Sequence, residues 1–263
     1  MKRKRSSVKN RRPENLGAVP AITAGVAGRF PLVDGLRGFA ILLMMVYHFI
    51  FDLNYFGVTH FNFNHDLFWL GSRTVIVSLF LLLVGISLAL ASRRQFNRSA
   101  YLRRLAQVGG CAVLVSIATY WMFPQSWTFF GVLHFITLAS ILALPFTRLY
   151  HTSLFMGIVL LAIGLTLQHP FFDQPWLQWF GLMTHKPITE DYVPLLPWFG
   201  VVLIGVFLGT LILKEAAIGT ILRWQPSAMA LRLLTFGGRH ALLIYMLHQP
   251  IFFGVLYITL AAS

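Results

Sequence analysis

Residues 33–53 read "VDGLRGFAILLMMVYHFIFDL". The stretch is apolar enough to lie in a bilayer, yet it carries Asp34, Arg37, His48 and Asp52. A charge at the centre of a spanning helix costs at least about 2.5–3.5 kcal/mol, so such a helix keeps one where it faces a polar interior. Spacing puts all four on one side. Arg37 and His48 are eleven positions apart, about three helical turns. Asp34–Arg37 and His48–Asp52 stand at the i,i+3 and i,i+4 separations at which helical side chains meet. The expected result is one polar stripe along a buried helix. In it Asp52 would orient His48 and support its protonated form. Arg37 would be a forked anion clamp. Asp34 and Arg37 also suit a plainer role as caps at the helix start, where acids favour the N-terminus.

The rest of the chain fits a membrane setting. Of 263 residues, 57% are hydrophobic and 11% charged, and the mean hydropathy is +0.72; soluble domains carry about 25% charge. The net charge of +13 suggests nucleic acid at first sight. The basic residues, however, sit in a tail and in loops, as in a membrane protein fixing its orientation, and no nucleic-acid partner is expected. The opening "MKRKRSSVKNRR" holds seven Lys or Arg; residues 1–30 read as a disordered basic tail drawn to anionic lipid, and 31–263 as one membrane domain. Cys111 is the lone cysteine. No Cys/His zinc spacing is present, so no metal is expected.

Spanning takes roughly 20 apolar residues, and seven segments qualify: about 36–56, 67–91, 105–123, 129–148, 153–168, 195–213 and 238–260. The fold class is therefore all-α, a polytopic transmembrane bundle of about seven spans. Loop charge alternates. "SRRQFNRSAYLRR" (92–104) has five Arg, 147–151 has Arg148, and 214–232 has Lys214, Arg223 and Arg232. The other loops hold no Lys or Arg except Lys186 in 169–194. Positive residues favour the cytoplasm, which puts the N-terminus inside and the C-terminus outside. Trp69, Trp121, Trp127, Trp176, Trp179 and Trp198 fall near the outer ends and read as an interfacial belt. Residues 169–194 are too broken by Pro and polar groups to span and read as an external loop. Gly85, Gly131, Gly205 and Gly209 would let helices approach closely.

Further polar residues lie in the spans or at their mouths. Arg73 stands a turn or two inside the second span, where snorkelling outward is the plain alternative. His134 is in the outer half of the fourth. Arg239, His240, Tyr245 and His248 share "GGRHALLIYMLHQP" (237–250); His248 precedes Pro250, whose missing N–H leaves a carbonyl in need of a partner. His60 and His65 occupy the outer loop "NYFGVTHFNFNHD" (54–66).

Taken in order, these blocks resemble a known family. The first span, with its Arg–Gly pair followed by a histidine, resembles the opening helix of integral-membrane acyltransferases. "FLLLVGISLAL" (80–90), "FGVLHFITLA" (130–139), "DYVPLLPWFGVVLIGVFLG" (191–209) and "GRHALLIYMLHQPI" (238–251) are similar to bacterial proteins related to the catalytic domain of heparan-alpha-glucosaminide N-acetyltransferase. The resemblance implies transfer of an acetyl group from acetyl-CoA across a bacterial cytoplasmic membrane to an acceptor on the far side. It also implies a membrane histidine as general base or acyl carrier: His48 by the wider superfamily, His60 or His65 by the lysosomal enzyme. "HFIFDL" replaces that enzyme's Asn–Tyr–Gly-rich step, so the acceptor expected is a small envelope sugar or a lipid-linked glycan.

On this reading His48, Asp52, Arg73, His60 and His65 are the catalytic candidates. Arg37, Asp34 and Arg239, with the loop residues Arg93, Arg94, Arg103 and Arg104, face the nucleotide of acetyl-CoA. His134, His248, Tyr245 and Asp191 face the acceptor. Arg73 or His134 would steady the tetrahedral oxyanion. Membrane lipids are expected around the bundle, and a homodimer is compatible with it. The main rival is a proton-coupled transporter, which intramembrane Arg, His and Asp also suit, although no internal repeat supports it. A scaffold whose polar residues only lock helix pairs is the second rival. A retinal-type pump is disfavoured because the last span has no Lys.

Overall fold

A computed structural model describes residues 30–93, 96–215 and 227–261, and every regular element among them is helical. The basic tail, Arg94 and Arg223 lie outside these residues, as does the side chain of Arg93. Eight α-helices follow in order: α1 (Pro31–Tyr55), α2 (Leu67–Arg93), α3 (Arg98–Met122), α4 (Val132–Ala143), α5 (Tyr150–Thr166), α6 (Leu195–Lys214), α7 (Met229–Arg239) and α8 (Ala241–Ala261). A 3-10 turn, Pro145–Arg148, joins α4 to α5. Five helices, α1, α2, α3, α6 and α8, are long and apolar enough to cross a membrane.

Local chemistry explains the ends. Pro31 opens α1, where the first turn has no use for an N–H. The Asn97 side chain caps α3 by accepting from the Ala100 N–H at 3.0 Å. Past α1 the chain turns at Gly57, whose φ of +76° is comfortable for a residue without Cβ.

The seven expected spans each meet a helix, with three differences. α4 has 12 residues and α5 has 17, so each alone is shorter than the roughly 20 needed to cross; the Pro145 turn divides what the hydropathy reads as one long stretch. The second difference is α7. The stretch 214–232 was expected to be loop and the last span to begin at about 238, yet Met229–Arg239 is an amphipathic helix laid against α1, with Thr235 and Gly238 buried and Met229, Leu233 and Phe236 exposed. The third follows from it. The last span begins at Ala241, because the backbone breaks at His240 after Gly237–Gly238.

The core sits where α2, α4, α5 and α6 meet. Leu81, Phe135, Val202, Leu203 and Val206 are fully buried there. The helices touch backbone to backbone through small residues. A Cβ on Gly85 would lie 2.1 Å from the Val202 carbonyl oxygen, and one on Gly205 2.4 Å from that of Leu82, which joins α2 to α6. Gly38 and Gly238 do the same for α1 and α7, with 1.8 Å to the Leu234 oxygen and 1.7 Å to the Asp34 oxygen. Such contacts are how helices associate where lipid removes the hydrophobic drive. Gly131 differs from the other expected packing glycines: it caps α4, and its missing Cβ leaves room for the Asp191 carboxylate.

The Trp residues divide. Trp121, Trp176 and Trp127 are exposed, as a belt requires, but Trp69 is buried against Tyr47 and Phe63.

Gly38→Ala should lower the melting temperature of the detergent-solubilised protein, with a loss of about 1–3 kcal/mol from overpacking. Gly110→Ala, whose added Cβ meets nothing within 4 Å, should be neutral or slightly stabilising.

Candidate active site

The polar side chains of α1 face inward and form three groups along the bundle. The first lies where α1 begins. Asp34 is buried, and its carboxylate takes a salt bridge from Arg37 at 2.9 Å and another from Arg239 Nε at 3.6 Å. The second arm of the Arg37 fork donates to Ser87 Oγ at 2.7 Å, and the first reaches the Gly238 carbonyl at 3.5 Å. Arg104 on α3 is close enough to feel the Arg37 charge. Two guanidiniums thus share one carboxylate. The Asp34–Arg37 pair forms at the separation the sequence suggests; Ser87, half-buried within the apolar run "GISLAL" (85–90), was the partner that spacing on α1 could not show.

The second group is at mid-helix. His48 donates from Nδ1 to the Met44 carbonyl at 2.9 Å. A carbonyl only accepts, so this bond puts the hydrogen on Nδ1 and leaves the Nε2 lone pair free. The expected His48–Asp52 pairing is not formed. Asp52, fully buried, accepts instead from Gln249 Nε2 on α8 at 2.7 Å. The backbone carbonyl four residues back is nearer to the His48 ring than the carboxylate four residues ahead, and α8 competes for the latter. His248 stands across from His48 with ring centroids 5.0 Å apart, edge to face. Its Nδ1 donates to the Tyr245 carbonyl at 2.6 Å, not to the Met246 carbonyl that Pro250 cannot serve, so the bond expected to cap the break is made one residue earlier.

The third group closes the other end. The loop before α6 carries Asp191 into the bundle, where it accepts from the Val132 N–H at 2.8 Å and the Tyr245 hydroxyl at 3.3 Å. One carboxylate therefore caps α4 from a distance and ties it to α8. Burial raises the Asp191 carboxyl above the ordinary range, against the two hydrogen bonds and the charges of His134 and Lys186. Lys186 is lowered by burial, then by repulsion from Arg73. Arg73 also acts on Tyr47, next to His48. His134 is fully engaged: Ser116 Oγ donates to the Thr128 carbonyl at 2.6 Å, so His134 Nε2 donates to Ser116 at 3.1 Å while Nδ1 accepts from the Gly131 N–H at 3.3 Å. An imidazole held at both nitrogens closes the start of α4 and is not free to serve an oxyanion.

His60 and His65 are exposed on the loop between α1 and α2. His48, Tyr245 and Asp191 are half-buried in the bundle. The best-formed open groove is elsewhere. It measures about 240 Å³, lies between α1 and α7, and has an apolar wall including Leu36, Phe39 and Leu231, as a lipid-facing crevice would. No group of His, Cys, Asp and Glu suited to a metal occurs among the described residues.

The catalytic-domain family model of heparan-alpha-glucosaminide N-acetyltransferase matches residues 29–250. The chain belongs to that family. The match spans all three polar groups, from Asp34 to Gln249, and makes the protein an integral-membrane acyltransferase of the acetyltransferase type. No curated protein and no solved structure matches the chain.

Asp191→Ala should cost about 1–3 kcal/mol of stability through two lost hydrogen bonds, read as a lower melting temperature. The ionised form of Asp191 is the disfavoured one in the fold. Its contribution therefore declines as pH rises from the ordinary carboxylate range through the raised folded value. Asp191→Asn, which keeps an acceptor oxygen, should remove that slope from melting curves taken across pH.

Proposed function

We propose that this acyltransferase takes acetyl from acetyl-CoA on the cytoplasmic side of a bacterial inner membrane and delivers it to a sugar, glycan or lipid-linked sugar outside. The observation that carries the reading is His48. Its backbone bond fixes the tautomer and leaves the Nε2 lone pair available, with a forked guanidinium on the same stripe three turns away.

The residues suit an acyl-CoA. Arg37 and Arg239 share the carboxylate of Asp34, and Arg104 lies near Arg37, so among the described residues the cluster has positive charge to offer a nucleotide phosphate. The first turn of α1 would hold the donor head, and the thioester arm would run along the stripe toward His48. Alternating loop charge supports the cytoplasmic assignment of that end. His48 Nε2 takes the proton from an acceptor hydroxyl or amine as its oxygen or nitrogen attacks the thioester carbonyl. A base so placed contributes about 10²–10⁴-fold. Arg73 is the remaining candidate for the oxyanion, since His134 has both nitrogens engaged. Tyr245 and Asp191 line the acceptor side.

The test is purified protein in lipid with labelled acetyl-CoA and envelope extracts, followed by isolation of the labelled product. His48→Ala should reduce transfer by about 10²–10⁴-fold and leave the melting temperature close to wild type. Arg37→Ala should raise KM for acetyl-CoA more than it lowers kcat. His60→Ala and His65→Ala should leave turnover near wild type; an active His48→Ala protein with an inactive loop variant would overturn the assignment.

A further inference from the structure

The middle group contains more than a base requires. Asp52 Oδ2, Gln249 Oε1 and His248 Nε2 are all buried acceptors without a hydrogen-bond partner. Asp52 is fully buried, and His248 is 6% exposed. Unmet buried polar atoms are costly, and three together on the facing sides of α1 and α8 call for an explanation. Both imidazoles are held alike: each gives its Nδ1 hydrogen to a carbonyl of its own helix, at Met44 and at Tyr245. Both Nε2 atoms are therefore lone pairs, and the rings are 5.0 Å apart. Asp52 adds a carboxylate whose one recorded donor is the neutral amide of Gln249. Among the described residues the cluster is rich in acceptors, its carboxylate has no cation within salt-bridge reach, and the donor that serves it is the Gln249 amide. What such a site lacks is one proton.

We propose that His48 and His248, both neutral at rest, act as a pair that takes up one proton during transfer, His48 receiving it at Nε2 and His248 and the buried Asp52 steadying the charge. The proposal rests on the acetyltransferase reading for its chemistry. As the acceptor's oxygen or nitrogen forms its bond to the acyl carbon, its bond to hydrogen breaks and the proton passes to His48 Nε2. The C–S bond then breaks, and the thiolate of coenzyme A takes the proton back from the pair. No other reagent is needed. One protonated imidazole beside a neutral one is tolerated, while two protonated rings would repel. His248 acts through His48 and is a relay residue. Gln249 positions Asp52. The other ionisable groups facing the pair are Tyr245 on α8, Asp191 behind Tyr245, and Arg73, which reaches the neighbourhood through Tyr47.

Nitrogen-15 histidine NMR of the whole protein in detergent, read across pH, tests the pair without any substrate. In wild type the two rings should titrate as a coupled system. In His248→Asn the His48 transition should move by about one pH unit or more, and Asp52→Asn should move both. Turnover of labelled acetyl-CoA is measured alongside. His248→Asn should lower kcat by about 10²-fold with KM for acetyl-CoA within about three-fold. His248→Gln, which can still donate to the Tyr245 carbonyl, serves if the Asn variant unfolds. A His48 transition unmoved by loss of His248, or wild-type kcat in that variant, overturns the proposal. A wild-type protein that never consumes acetyl-CoA overturns the transferase reading instead, and the NMR result then decides the pair by itself.

Discussion

The carboxylate of Asp34 is the contact on which the rest of this architecture turns. It is buried near the start of a lipid-embedded helix, where a lone charge would be very unfavourable, and two guanidiniums reach it, Arg37 from its own helix and Arg239 from the end of α7. The bridge to Arg239 requires α7 to lie against α1. That approach is possible because Gly38 and Gly238 place backbone against backbone within a span that no side chain could occupy. Charge pairing and small-residue packing are therefore one device. Loss of either would turn the α1 stripe from an interior surface into charges facing hydrocarbon.

The same logic recurs at the opposite end with different material. There the helix dipole of α4 stands in for a cation: Asp191 accepts from its first N–H, and Gly131 leaves the room for it. Tyr245 carries the connection to α8, which holds Gln249 against Asp52. α8 is thus fixed at two heights by carboxylates from two other segments. This is why His248 faces His48 and not the lipid. A rigid frame matters for a base, because a misplacement of about 1 Å can cost on the order of a hundredfold in rate.

How much of this was legible in the sequence depends on whether the cause is periodic or pairwise. The all-α membrane class and the stretches that become helices follow from apolar runs, which depend on neighbours in the chain. The inward stripe of α1 was readable too, since Asp34–Arg37 is a local pair. Helix length was less so. Residues 129–148 look like one span, yet Gly131 and Pro145 trim the helix to twelve residues. α7 escaped because a short amphipathic helix with Arg and paired glycines has the composition of a loop. Partners distant in sequence were beyond reach: Gln249 is 197 positions from Asp52 and Asp191 is 59 from Val132. Each such pairing exists only because packing has already chosen which helices touch.

The corrected partner of His48 changes the chemistry as well as the geometry. A carboxylate on Nδ1 would strengthen the imidazolium and commit the ring to one strong acid–base partner. A backbone carbonyl on Nδ1 fixes the tautomer equally well but brings no charge. His48 then stays closer to a neutral base, poised to take a proton and also to release it, as a complete transfer cycle demands. Asp52 is instead tied to the Gln249 amide of α8. Moving the carboxylate one step back from the base is a physical route to reversibility in a medium where a direct ion pair would hold the proton too tightly.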